Sequence, residues 1–287
     1  MILFIALIAA SGADVVGRVR AALASDALDT AKTLCTQNRT TAQGVEACSW
    51  IARYELSKRD YPAALITARS VRSDAEALLK ARKLDDEPHL PIGLGAAIEV
   101  EAQARAATGE QQQATAELKS ALHTYAGTSI ANRLQKNLNL LTLTGKAAPL
   151  LDLKDTLTKT AAKLSPKPTL LFFWAHWCPD CKKQAPILAA LHEKFPSVAM
   201  IAPTQTYGFV RGEAASDEEE RVHMRIVWDA GYAAQLPDVA VPVSGATFTR
   251  YGCSSVPTLV LLDAHGKVVL YHPGRMTEEE LEAALRL

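Results

Sequence analysis

The chain has 287 residues, of which 48% are hydrophobic and 22% are charged, with 31 Lys and Arg balanced by 31 Asp and Glu. At about 100 to 200 residues per domain, this length favours two domains. The composition excludes a disordered chain, a collagen-like repeat and a multi-span membrane protein. The balanced charge provides no bulk positive field for nucleic acid, so no nucleic-acid partner is expected. Five cysteines are too few for a disulfide scaffold of this size.

The N-terminus carries an apolar run from Met1 to Ala10, shorter than the roughly 20 residues that span a bilayer. Small residues follow it up to Ala13, a pattern typical of a signal peptide over residues 1–13 that is cleaved after Ala13. No Lys or Arg precedes the run, so a buried first helix is the alternative. We expect an exported protein, periplasmic or otherwise extracytoplasmic, in a compartment where disulfides persist.

Residues 14–145 are rich in Ala and Leu, with apolar residues at three- and four-residue spacings that predict an all-α domain. Two helix-turn-helix units are indicated, with turns at Asp60 to Leu65 and at Thr108 to Glu110. These units resemble tetratricopeptide repeats, and Pro88 and Pro91 are interpreted as marking an insertion between them. The resemblance implies a helical-repeat domain on which a partner protein docks; an unclassified helical bundle is the alternative.

Cys35 and Cys48 fall on what are predicted to be successive helices of this domain. In an exported protein they are candidates for a structural disulfide, worth about 2 to 4 kcal/mol. Two small buried side chains with free thiols are an equally good interpretation.

The second domain, residues 146–287, begins near Gly145, where helix-stopping residues interrupt the chain. Its pattern changes to buried strands that alternate with helices, which indicates an α/β fold. The predicted elements are a strand at Thr169 to Trp174, a helix at Pro179 to Lys194, a strand at Val198 to Ala202, a helix opening at Asp217 to Glu220, a hairpin of Thr258 to Leu262 with Val268 to Tyr271, and a last helix capped by Thr277.

Cys178 and Cys181 form a C-x-x-C motif between the first predicted strand and the helix that follows it. At a helix N-terminus, Cys178 faces unpaired N–H groups and the positive end of the helix dipole, which favour its thiolate. Cys178 is therefore the predicted nucleophile and Cys181 the less exposed, resolving thiol. Structural zinc is disfavoured because no second ligand pair is present, so no metal is expected. An inert disulfide is the remaining alternative.

Phe173 to Leu188 resembles the thioredoxin superfamily signature, including Trp177 before the first cysteine and Pro186 inside the helix. Tyr251 to Thr258 is similar to the family's cis-proline loop, and Gly274 also fits. The resemblance covers residues 148 to 287, and the Cys-Pro-x-Cys form, the export signal and the long insert from Pro203 to Arg250 point to the TlpA-like extracytoplasmic branch. It implies a central mixed sheet flanked by helices.

The resemblance also implies the site. Cys178 and Cys181 would be catalytic, with a cis bond between Val256 and Pro257, and these two residues and Trp177 would contact substrate. No cofactor beyond the Cys178–Cys181 disulfide is implied. The partners would be protein thiols or disulfides and an upstream redox protein, and the reductase direction is favoured.

Four further positions bear on the redox chemistry. Phe172 occupies the place where many thioredoxins carry a buried Asp, so that proton route is absent. His176, expected to be exposed, and Asp180, between the cysteines, are candidates for tuning the thiolate, with His176 more simply a bystander. Cys253 is interpreted as an inert packing residue, with an accessory thiol as the alternative.

Two segments have a plain and a functional interpretation. The segment from Pro203 to Gly208 is either a solvated loop or part of the active-site rim, and the acidic run Asp217 to Glu220 is interpreted as a charged first helical turn. The leading hypothesis is an extracytoplasmic thiol-disulfide oxidoreductase. The alternative is a helical-repeat binding or chaperone-like module with a vestigial redox site, and a thiol peroxidase is disfavoured by the C-x-x-C motif.

Overall fold

The structure is a computed structural model that describes residues 14–286. The predicted signal peptide, residues 1–13, lies outside the described residues. The described chain divides into two compact units between Ile130 and Ala131, N-terminal to the boundary expected near Gly145. Between residues 14 and 286, none of the helices combines the length and the apolar character that a membrane span requires.

The first unit is all-α, as the sequence predicts. Its six α-helices are α1 (Val15–Ala24), α2 (Leu28–Asn38), α3 (Ala42–Ser57), α4 (Tyr61–Leu79), α5 (His89–Ala107) and α6 (Gln111–Thr124), with a short 3-10 helix at Leu84–Asp86. Helix α3 packs against α1, α2, α4 and α5, and α5 packs against α4 and α6. Contacts between elements close in sequence are the pattern expected of stacked helix pairs.

Small residues let these helices approach closely. Ala52, Ala64 and Ala68 are fully buried where α3, α4 and α5 meet. The turn between α3 and α4 is closed by Asp60, whose carboxylate accepts the Ala63 N–H at 3.2 Å as an N-cap. Pro88 is the residue before α5, Pro91 lies in the first turn of that helix, where proline costs little, and the segment between α4 and α5 carries the 3-10 helix, so the insertion stays a prediction.

The second unit has the predicted mixed sheet flanked by helices. Its elements are α7 (Ala131–Thr142), β1 (Thr169–Phe173), α8 (Pro179–Lys194), β2 (Ala199–Ile201), β3 (Phe209–Val210), β4 (Glu213–Ala214), α9 (Asp217–Gly231), α10 (Gly245–Tyr251), β5 (Thr258–Leu262), β6 (Val268–Pro273) and α11 (Glu278–Leu285). The main sheet has the order β2-β1-β5-β6; β1 runs parallel to β2 and antiparallel to β5, which pairs antiparallel with β6. Strands β3 and β4 form a separate hairpin.

Both faces of the main sheet are covered, which explains why all five residues of β1 are buried. Leu170 and Phe172 belong to a cluster with residues of α8, α9 and α11. Leu171 and Phe173 point to the other face and pack with residues of α10 and β6. This alternation follows from the two-residue period of a strand.

Helix α7 and the elements α10, β3 and β4 are the main additions to the predicted order. The helical domain predicted over residues 14–145 includes α7, but α7 packs against α10 and β6 of the second unit. Gly252 makes this approach feasible, because it ends α10 at φ +62° and a Cβ there would collide with the backbone of Gln135 and Lys136.

Candidate active site

The two cysteines of the C-x-x-C motif form a disulfide at the start of α8, with Cα atoms 5.3 Å apart. Cys178 is the N-cap residue, and its Sγ accepts the Cys181 backbone N–H at 3.0 Å. Pro179 occupies the first helical position, where its missing N–H is not needed. An N–H aimed at Cys178 Sγ from a helix N-terminus stabilises the thiolate that forms on reduction.

The surface around the pair favours attack at the first cysteine. Cys178 is 2% exposed and Cys181 is fully buried, while Trp177 is 47% exposed beside them. Cys178 is therefore the more accessible sulfur of the pair, and it lies beside the exposed Trp177 ring.

The Val256–Pro257 peptide bond is cis, as the resemblance implies. The Val256 carbonyl oxygen lies 3.4 Å from Cys178 Sγ. Gly274 N–H donates to the Pro257 carbonyl at 2.7 Å and ties this loop to the end of β6. Since the pairing of β5 begins at Thr258, Val256 lies outside the sheet ladder and beside the reactive sulfur.

His176 differs from the expectation, because it is buried, only 3% exposed. Its Nε2 lies 2.9 Å from Oε1 of Glu220, a carboxylate with no solvent exposure. The expected exposure of His176 is therefore wrong: α9 covers the imidazole, and Glu220 supplies the partner that a buried polar ring needs.

Glu220 is the site residue that the sequence reasoning missed. Its carboxylate also accepts the Tyr207 N–H at 2.8 and 2.9 Å and the Gly208 N–H at 2.7 Å. The acidic run is the charged first turn of α9, as predicted, but Glu220 is buried whereas the other three acidic residues are exposed. Helical spacing was the available signal, because Glu220, Met224 and Trp228 recur every four residues and are the buried residues of α9.

The loop and hairpin after β2 form one side of the site. The Tyr207 ring centroid lies 5.4 Å from that of Trp177 and 6.1 Å from that of His176. Burial raises the pKa of the Tyr207 hydroxyl above its usual value. Phe209, in β3, also contacts His176, at 5.6 Å between centroids. The rim interpretation of this segment therefore describes its position better than a solvated loop.

Two other predicted positions have simple surroundings. Asp180 is exposed, and its carboxylate lies 3.4 Å from Lys183 Nζ and 3.7 Å from an Arg275 nitrogen, so its charge is partly balanced. Phe172 is fully buried, with its ring centroid 6.2 Å from that of Tyr232.

Cys253 is buried among residues of the second sheet face. It is the cysteine that stands outside both disulfides of the described chain. Burial raises the pKa of its thiol well above the usual value, although a Thr258 hydrogen bond acts in the opposite sense. A thiol in this environment is poorly reactive, which supports inert packing.

Cys35 and Cys48 form a disulfide within the first unit, with Cα atoms 5.1 Å apart. It links α2 to α3, the two successive helices on which the sequence places them. Across residues 14–286, no group of three or more His, Cys, Asp or Glu side chains is arranged to hold a metal ion.

Comparisons with known proteins bear on this geometry. A family model described as a thioredoxin-like domain matches residues 155–287. The thiol-disulfide oxidoreductase ResA of Bacillus thuringiensis (strain Al Hakam) is 30% identical over 146 residues, which cover 50% of this chain and 70% of that protein. ResA of Bacillus thuringiensis subsp. konkukian is 30% identical over 122 residues, 42% of this chain, and the chain spans only 62% of that relative. The crystal structure of StoA from Bacillus subtilis aligns at 22% identity and a TM-score of 0.37, covering 48% of this chain and 98% of StoA.

Proposed function

This chain belongs to the thioredoxin-like family of thiol-disulfide oxidoreductases, and we propose that it exchanges its Cys178–Cys181 disulfide with cysteines of partner proteins. The observation that carries the proposal is the position of Cys178 Sγ. It accepts a helix N-terminal N–H at 3.0 Å and lies 3.4 Å from the Val256 carbonyl, at the edge of an exposed tryptophan. One sulfur is thereby both stabilised as a thiolate and placed beside main chain that can align an extended client.

In the reductase direction, the reduced pair consumes a client disulfide in two steps. The Cys178 thiolate attacks one client sulfur, a mixed disulfide forms, and the departing client thiolate takes up a proton. Cys181 then loses its proton and attacks Cys178 Sγ, which releases the second client thiolate. Two electrons pass to the client, whose disulfide becomes a dithiol, and Cys178 and Cys181 end as a disulfide.

The disulfide between α2 and α3 supports an extracytoplasmic location, because such bonds persist in oxidising compartments. The apolar run at residues 1–10 supports export. We propose that the protein works as a reductant in such an extracytoplasmic compartment, where an upstream redox protein supplies its electrons. The helical unit would serve as a docking platform for a protein partner.

The test begins with the reduction potential of the pair, measured by equilibration in thiol buffers in a background where the other three cysteines are replaced. A value near or below about −250 mV supports a reductase, and a value near about −120 mV supports an oxidant instead. In the otherwise unchanged chain, Cys181→Ser should accumulate mixed disulfides with clients and Cys178→Ser should abolish exchange, with Cys253→Ala as the matched control. A pair without a reversible transition, or full exchange by Cys178→Ser, would refute the proposal and favour a binding module with a vestigial redox site.

A further inference from the structure

A groove of about 500 Å³ lies in the second unit beside the redox pair. Two of its lining residues, His176 and Trp177, immediately precede Cys178, and Lys182 follows Cys181. Its far side is formed by one face of α9 and by the turn of the β3–β4 hairpin. The remaining lining residues are Arg211, His223, Ile226, Val227, Ala230 and Gly231.

The groove is electropositive. Lys182 and Arg211 line it as cations, and within the described chain none of its lining residues is Asp or Glu. The His223 imidazole also lines the groove, and its pKa is lowered by burial first, then by the nearby His176 and Arg211 and least by Lys182, whereas Glu220 acts in the opposite sense. That carboxylate is itself buried and already accepts three hydrogen-bond donors.

Arg211 is fixed in place by the hairpin. It and Gly212 form the two-residue turn between β3 and β4, with φ values of +53° and +90°, as a type I′ turn requires. Glu220 anchors the start of this hairpin through the N–H groups of Tyr207 and Gly208. The guanidinium is therefore carried on a short, anchored element rather than on a long loop.

The groove also has an apolar part. Trp177 is 47% exposed and Ile226 is 59% exposed, so the indole ring of Trp177 and the aliphatic side chain of Ile226 are available to a partner. A ligand that fits must combine negative charge with apolar side chains and extend to the reactive sulfur.

We propose that this groove binds an acidic segment of the client protein, next to the cysteine that Cys178 attacks. The proposal rests on the proposed function, since it names the substrate class of the same site. An extended chain advances about 3.3 Å per residue, so carboxylates two to four residues from the client cysteine lie about 7 to 13 Å along the chain from its sulfur, in a groove that begins beside the redox pair. The cations of the groove repel basic client segments. The groove therefore favours client disulfides with acidic neighbours over those with basic neighbours.

The experiment compares disulfide-bonded peptides that differ only in having Glu, Gln or Lys two and three residues from one cysteine. The reduced full chain is mixed with each peptide, and the single-turnover rate constant is measured by stopped-flow fluorescence. We expect the Glu peptide to react about tenfold faster than the Lys peptide at low ionic strength, with the ratio falling towards one at about 1 M salt.

Charge-removing variants locate the effect. Arg211→Asn, which suits the left-handed backbone, and Lys182→Gln should each lower the Glu-to-Lys rate ratio about threefold. The ratio is the proper readout because a change in the reactivity of Cys178 affects every peptide equally. Arg225→Gln is the matched control: Arg225 is an exposed cation of α9 that lines a different surface, so its loss should leave the ratio unchanged.

Equal rates for all three peptides, or a preference that survives the combined loss of Arg211 and Lys182, would overturn the groove proposal while exchange itself stands. A preference that is lost equally in Arg225→Gln would also overturn it. An absence of exchange with every peptide would instead overturn the proposed function, and the groove proposal with it.

Discussion

Replacing Glu220 by leucine should strongly destabilise the second unit. Leucine is close to glutamate in size but removes the acceptor of the buried His176 imidazole, of the half-buried Tyr207 N–H and of the Gly208 N–H, whose residue is exposed. Each buried polar group left unpaired costs about 1 to 3 kcal/mol. Because the hairpin can relax, we expect the lower end of the sum, a fall of at least about 3 kcal/mol in the free energy of unfolding.

Glutamine at the same position separates hydrogen bonding from size. Its amide oxygen can still accept the N–H groups of Tyr207 and Gly208, and its NH₂ group can donate to His176 Nε2 in the other tautomer. Only the charge assistance is lost, so we expect Glu220→Gln to cost less than about 2 kcal/mol.

Urea denaturation measures both variants. A Trp50→Phe background removes the tryptophan of the first unit, so that fluorescence reports Trp174, Trp177 and Trp228 of the second. At a slope of about 1 to 3 kcal/mol per molar urea, Glu220→Leu should lower the midpoint by at least about 1 M. Glu218→Leu is the matched control on the exposed face of α9. An effect of Glu220→Leu below about 1 kcal/mol, or equal costs for leucine and glutamine, would refute the hydrogen-bond reasoning.

Three other predictions use different probes. Replacing Cys35 and Cys48 together by Ala should lower the stability of the first unit by about 2 to 4 kcal/mol, seen as faster hydrogen exchange in α2 and α3; unchanged exchange would contradict a stabilising disulfide. In the folded, reduced protein, iodoacetamide should alkylate Cys178 and spare Cys253, because burial raises the pKa of the Cys253 thiol; equal labelling would count against it. The pKa of His223 is lowered from its usual 6.5 in the folded protein, so as the pH falls the His223 imidazole is protonated at a higher pH in the unfolded chain than in the folded one. The stability that is present above about pH 6.5 is therefore lost as the pH falls. His223→Gln should flatten that dependence between about pH 5 and 7, and an unaltered pH profile of stability would rule out the assignment.

The sequence predicts the parts of the site that local pattern determines. Cys178 and Cys181 are read directly from a strand followed by a C-x-x-C and a helix, and the predicted bounds of α8 and β5 match those observed. The cis bond before Pro257 follows from the resemblance of a short loop. Each of these features is decided within a few residues of chain.

The features that escaped prediction depend on contacts between distant segments. His176 and Glu220 are 44 residues apart, and neither shows its partner in the local sequence. Helix α7 has the composition of the helical unit, and only its packing against α10 and β6 assigns it to the second. Tertiary contacts bury His176 and Glu220 and place α7 in the second unit. Local composition instead favours exposure of the two side chains and membership of α7 in the first domain.

The residues that the sequence predicts and those that it does not predict have different roles in the site. The residues of the redox motif supply the chemistry, and their spacing is fixed by the geometry of a disulfide at a helix N-terminus. The insert between β2 and β5 supplies Glu220, Tyr207 and Arg211, which in the groove proposal shape the approach to Cys178. Client selection can therefore change through the insert while the electron transfer at the cysteines stays the same. For this chain, the electropositive groove is where a preference among disulfides should be sought.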